Sequence, residues 1–332
     1  MRLLIGTTLG LAPILAPLPL GDELEFKVKA DTRLEKTFDS ELALELAEMN
    51  MKFGDEELPA DHTDGLEMQI VSKDHLVFVD HYRALADGRP TSLVRTFEAL
   101  ESSESQKQSF DGEGDESTTD KESKLEGKSV LFQWNEEQSE FAVSFHEDEG
   151  DAELLTELVE DTDLRAFLPG KSVAAGDSWP VEARAFDAIL SPGGDLALLS
   201  GEEADDSEEV DDQLDQNLSG EIKVTFVETR DEAGTRVAVL HVEAELATHS
   251  ESTSEEDGES SVETYRIELD VEGDILWDLA HGRPWSYAIE GKSQVVVETK
   301  SEVALEDTQL SMSQTLRFEG KYSASGRWTS AE

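Results

Sequence analysis

Apolar residues recur at every second position through most of this chain. Val130, Phe132 and Trp134 share one phase, and beyond Asn135-Glu136-Glu137-Gln138 the phase resumes with Phe141, Val143 and Phe145. That pattern predicts a β-hairpin with one buried face. Ile222, Val224 and Phe226 lead through Asp231-Glu232-Ala233-Gly234 to Ala238, Leu240, Val242, Ala244 and Leu246, a second hairpin. Tyr265, Ile267, Leu269 and Val271 predict a strand ending at Glu272-Gly273-Asp274. Two long runs follow, one through Val295, Val297, Val303 and Leu305, the other through Leu310, Met312, Leu316 and Phe318. His75 to Tyr82 and Thr91 to Leu100 flank the turn residues Ala86-Asp87-Gly88-Arg89-Pro90. These read as half-buried antiparallel strands whose wet faces carry acids such as Glu243, Glu245, Glu268 and Asp270. Leu42, Leu44, Leu46, Met49, Met51 and Phe53 break step once, predicting two strand pieces joined at a bulge, with a helix as the alternative.

Only the middle of the chain has helical spacing. Asp151 is placed to cap a helix bearing Leu154, Leu155, Leu158 and Val159 as its apolar stripe. A shorter helix with Phe186, Ile189 and Leu190 stops at Ser191-Pro192-Gly193-Gly194. Segments 101–124, 201–216 and 249–260 lack hydrophobic content and read as mobile loops. The fold expected is mainly β: long curved antiparallel sheets with one or two helices inserted mid-chain. Its organisation is a leader over 1–21, a β-rich half over 22–149, a helical connector over 150–200 and a second β half over 217–332. Whether the halves share one sheet is left open by the pattern.

Residues 2–20 carry one charge, Arg2, followed by an apolar run broken by Pro13, Pro17 and Pro19. Such a run suits a removed secretory signal better than a spanning helix. No other run approaches the ~20 apolar residues of a membrane span. The chain has no cysteine, which excludes disulfides, iron–sulfur clusters, thiolate zinc and a lipid-anchored N-terminus. Together these predict a secreted or periplasmic bacterial protein. The net charge of −50, from 77 acids against 27 bases, repels nucleic acid and anionic membranes, so neither is expected as a partner.

Candidate chemistry is sparse. Neither a Gly-x-Ser-x-Gly elbow nor a phosphate-cradling glycine loop occurs. His75 and His81 share a strand face, but six strand residues separate them by ~20 Å, too far to chelate one ion. With 77 acids, carboxylate pairs carry no information. Asp111, Glu113 and Asp115, with Glu122 at the twelfth place, echo a calcium loop, although Glu116 stands where its glycine belongs. Calcium is therefore the one cofactor considered. Asn217-Leu218-Ser219 matches a glycosylation triplet that a bacterium leaves idle. The five tryptophans sit in strand contexts suited to packing.

Asp163-Leu164-Arg165-Ala166-Phe167-Leu168-Pro169, then Val173 and Gly176-Asp177-Ser178-Trp179, is the most distinctive string, preceded by Leu125-Glu126-Gly127-Lys128-Ser129-Val130. Over residues 120–195 it resembles a group of exported bacterial β-rich proteins with a Leu-Pro…Val-x-x-Gly-Asp-Ser/Thr-Trp element. The resemblance implies export and a β body with a helical insertion, and no activity. Physically, Pro169 ends a helix, Gly176-Asp177 makes a tight turn and Trp179 anchors a strand. The function expected is non-enzymatic: an envelope or exterior protein, structural or binding an apolar ligand or another envelope protein. An apolar ligand would lie between sheet and helix on Phe132, Trp134, Phe145, Leu155 and Leu158. The alternatives are an exported hydrolase built on His81, His146 or His281 with dispersed acids, and a calcium-dependent adhesive module.

Overall fold

A computed structural model describes residues 23–54, 56–57, 65–110, 113–147, 149–199, 217–256, 259–305 and 308–331. The strands are β1 (Thr32–Phe53), β2 (Glu56–Glu57), β3 (Leu66–Ala86), β4 (Arg89–Phe110), β5 (Glu113–Lys121), β6 (Ser129–Asn135) and β7 (Glu140–Phe145). After the connector come β8 (Ser178–Val181), β9 (Ser219–Glu232), β10 (Thr235–Glu256), β11 (Glu259–Asp278), β12 (Arg283–Leu305) and β13 (Thr308–Ser330). All belong to one antiparallel sheet with the path β7-β6-β4-β3-β1-β13-β12-β11-β10-β9-β8. The two β halves are therefore continuous, joined where β1 pairs along its length with β13. The fold is mainly β, as the alternation predicts, and β1 carries its bulge between Leu46 and Glu48, inside the stretch where the spacing breaks step.

One face of the sheet is packed and the other polar. Phe226, Leu240, Ile275, Tyr287, Gly326, Phe38, Leu76 and Leu100 are successive cross-strand partners, a single row over eight strands. Every side chain in that row is buried. Above it lie the connector and the N-terminal segment, whose Leu24, Phe26 and Val28 enter the same core while Lys27 N–H donates to Gly282 O at 2.8 Å. Among the described residues this cover reaches only about half the strand length. Beyond it the same face continues through Met49, Leu316, Val297 and Tyr265, a row that is only half-buried. At the far end Phe53 and Leu310 are 51% and 44% exposed.

Two expectations need correction. Segments 101–124 and 249–260 are not loops: β4 pairs with β5 from Ser102 to Phe110, and β10 with β11 out to Glu256. Uncovered, these strand ends need no large apolar residues, and their backbone ladders hold them. The third expected loop, 201–216, lies outside the described residues.

The connector is less helical than its spacing suggests. Asp151 does cap a turn, its carboxylate accepting from Glu153 N–H, but that turn is a 3-10 helix over Ala152–Leu155. Leu158 then forms a β-bridge with Gly194, and Val159 is 49% exposed. The Val159 and Glu160 carbonyls accept hydrogen bonds from the Arg95 guanidinium, which draws the chain out of a helical path. Single 3-10 turns follow at Arg165–Phe167 and Ala183–Phe186, before α1 (Asp187–Leu190). Asp177 is a turn residue, accepting from Ala174 N–H at 2.8 Å, and Trp179 is buried with its Nε1–H on Phe167 O. No helix among the described residues is long and apolar enough to cross a membrane.

Candidate functional site

The strongest polar cluster lies where the connector meets the packed face. Lys36 on β1, Asp80 on β3 and Arg95 on β4 are fully buried, each between apolar neighbours of its own strand phase. Arg95 Nε and Nη2 grip Asp80 Oδ1 and Oδ2 at 2.8 and 2.9 Å. Lys36 Nζ reaches Asp80 Oδ2 at 2.6 Å, Thr162 Oγ1 at 2.7 Å and Asp163 Oδ1 at 2.8 Å. Tyr82 donates to Asp163 Oδ2 at 2.6 Å, and Arg165 pairs with Glu160 and Asp161. Leu164, at φ 54°, turns the backbone between Asp163 and Arg165 so that both side chains are used. The distinctive string of the sequence is thus a clamp fastening the connector to the sheet.

The electrostatics follow from that burial. Burial would raise Asp80, but the charges and hydrogen bonds of Arg95 and Lys36 hold it at about 2. Burial and the Asp163 carboxylate push Tyr82 well above the ordinary tyrosine range. Glu160 goes the other way: burial lifts it to about 7 despite Arg165, and Asp161 and Asp163 add to the lift. Its Oε1 has no partner. Its central members, Lys36, Asp80, Arg95 and Thr162, are wholly buried and tie the connector to the sheet.

The polar face offers the accessible feature. It hollows into a trough of about 1420 Å³ crossing eight strands, bordered by Asp39, His75, Glu101, His241, Asp274 and Glu290 among others. One row of cross-strand partners forms it: His241, Asp274, Ala288, Ser325, Asp39, His75 and Glu101. His241 Nδ1 lies 2.9 Å from Asp274 Oδ1, and His75 Nδ1 lies 2.7 Å from Asp39 Oδ1. Two histidine–aspartate pairs thus flank a floor of small residues, each ring fixed through Nδ1. A second hollow of about 1350 Å³ adjoins it, sharing Glu41, Glu272, Glu290 and Ser323. Acids dominate both, though Lys73 pairs with Glu41 and Lys223 with Glu243.

The sequence-derived sites fare differently. Phe132, Leu155 and Leu158 are buried core residues, with Phe145 packed against them. Trp134 stacks edge-on with Phe141 and under Arg89 at 3.9 Å. None of the five borders the trough, the hollow beside it or the recess under residues 189–199. The calcium set is not brought together. Asp111 lies outside the described residues, Glu113 and Asp115 sit on exposed β5, and Glu122 bridges to Leu199 at the strand's other end, ~30 Å from Glu113. Among the described residues no three acids or histidines are placed to hold a metal ion. Of the hydrolase histidines, His281 pairs with buried Asp278 at 2.6 Å and His81 faces Asp31 at 3.8 Å. Neither they nor His146 border the trough; His75 and His241 do.

The clamp and the trough were missed by sequence reasoning. The clamp left a signal: Lys36 between Leu34 and Phe38, Asp80 between Phe78 and Tyr82, and Arg95 between Leu93 and Phe97 place charges in the inward phase.

No family model matches the chain, and no curated protein matches it. Among solved structures, an outer membrane channel from Pseudomonas putida F1 aligns at 7% identity and a TM-score of 0.20, over 93% of this chain and 99% of that one. Pseudomonas aeruginosa OccK5 (OpdH) aligns at 8% identity and 0.17, over 93% and 100%. Likenesses at these scores carry no argument about this chain.

Proposed function

We propose that this is an exported, non-enzymatic binding protein of the bacterial envelope or exterior, and that its trough takes an extended cationic partner. The observation that carries the reading is the row from His241 to Glu101, which brings carboxylates from across the sheet into one open channel. The partner's chemistry follows from the lining. An acidic trough open to solvent focuses a negative field and attracts a chain of positive charges, with salt-dependent affinity. The fixed histidine–aspartate pairs supply directional hydrogen bonding at either side of the floor. The apolar leader and the absence of cysteine support an exported setting.

Fluorescence anisotropy with labelled hexalysine tests this. We expect binding that weakens at least tenfold between 50 and 500 mM salt (~10-fold being what a few exposed ion contacts give). The Asp39→Asn/Asp274→Asn double variant should lose a similar factor, and labelled hexaglutamate should not bind. Hexalysine binding that ignores both salt and the double variant, or no binding at all, would sink the reading.

A further inference from the structure

A third, smaller cavity of about 350 Å³ lies on the packed face, between the sheet and residues 189–199. Its floor is a break in the apolar core. One step beyond the buried row of Phe38, Leu76 and Leu100, the cross-strand partners become Ser40, Asp74, Ser102 and Lys121. Four polar residues thus stand side by side on four strands, on a face otherwise built for packing. Ser40 Oγ donates to Asp74 Oδ2 at 2.7 Å, fixing the carboxylate. Lys121 stands two strands from Asp74, ~10 Å away by sheet spacing, with Ser102 between them. Its ion partner, Glu104, is at the long distance of 3.8 Å.

The wall and roof are equally specific. Tyr287 borders the cavity, is 3% exposed, and its hydroxyl has no hydrogen-bond partner. A Cβ on Gly326 would meet the Tyr287 ring at 2.3 Å, so only glycine lets that ring lie against the sheet. The roof is held at both ends: Ser191 N–H donates to Asp187 O, and Glu122 and Leu199 exchange two backbone bonds of 3.0 Å. Ser123 Oγ also binds Leu196 O. A fixed roof over a polar floor makes a pre-organised recess, at the small end of the range for ligand cavities.

We propose that this recess binds a small zwitterion of amino-acid size, its ammonium group on Asp74 and its anionic end on Lys121. Ser102 lies beneath the middle of the ligand, and Tyr287 donates to it from the side. Ser40, Asp74, Ser102 and Lys121 border the trough as well as the recess, but the zwitterion is inferred from the floor, Tyr287 and the roof alone.

Isothermal titration of the full protein with three probes of one length decides the matter: 5-aminopentanoate, 1,5-diaminopentane and pentanedioate. We expect 5-aminopentanoate to bind at least tenfold more tightly than either of the others. Asp74→Asn and Lys121→Gln should each weaken it about tenfold, the loss of one charge-assisted contact. Tyr287→Phe, which keeps the ring on Gly326, should weaken it about threefold, as for one neutral hydrogen bond. Asp274→Asn, at a residue that borders the trough and not the recess, should leave it unchanged. The probe comparison needs no variant, so it holds even where a substitution unfolds the chain. No binding of 5-aminopentanoate, equal binding of all three probes, or binding indifferent to Asp74→Asn and Lys121→Gln overturns the proposal.

Discussion

The covered and uncovered halves of the sheet use the same strands, yet they are stabilised differently. Under the connector, packed-face positions hold Phe38, Phe78, Tyr82, Trp277 and Trp328, all buried, with Phe38 touching the rings of Phe78 and Trp328 at 5.5 Å. Past the connector the same face holds Met49, Met51, Met68 and Met312, interspersed with Ser, Thr and Gln. Aromatics belong where another layer completes their contacts; methionine and small polar residues tolerate a face left wet. Burial along one strand is thus set by what lies above it. Alternation alone reports only which face is apolar.

The largest expected effect is at the clamp joining connector to covered half. Asp80→Ala leaves the buried Arg95 without its carboxylate and Lys36 with that of Asp163 alone, and should cost about 3–5 kcal/mol in urea unfolding. A loss below about 1 kcal/mol would mean the connector docks without it. Trp328→Ala should cost about 3–5 kcal/mol, whereas Met51→Ala, on the same face of the uncovered half, should cost about 1 kcal/mol or less. Equal losses would erase the distinction between the halves.

The pH dependence sharpens it further. Because burial raises Glu160, its contribution is fully present below about pH 4.5 and is lost as pH rises through about 7. Asp80 is depressed to about 2, so its contribution holds above about 3.8 and is lost as pH falls toward 2. Stability should peak between the two windows. Glu160→Gln should be more stable than the parent at pH 8, by on the order of 3 kcal/mol, and equal to it at pH 4. Parallel curves from pH 4 to 8 would show that Glu160 stays charged without penalty. Smallest of all, Phe53→Ser at the uncovered tip should change stability by about 0.5 kcal/mol or less.

Much of this architecture was legible in the chain. Strict alternation located the hairpin from Val130 to Phe145 and that from Ile222 to Leu246, and one skipped step at Leu46–Met49 located a bulge. The outer lengths of β4, β5, β10 and β11 escaped notice because their Ser, Thr, Glu and Lys residues show no apolar phase when neither face is covered. The connector misled for the opposite reason. Its leucines have helical spacing, but Arg95, 64 residues away from Val159, takes the carbonyls a helix would have used. The trough was beyond reading: Asp39 and His75 are adjacent only through the β1–β3 register, and Asp274 and His241 only through β10–β11.

The pairing of β1 with β13 has a kinetic corollary. Leu34 aligns with Ser330, and Ala331 N–H closes on Arg33 O, so the first long strand finds β13 only across all the strands between them. Loop closure over such separations is slow. A polypeptide emerging N-terminus first cannot complete its central seam until β13 has been delivered.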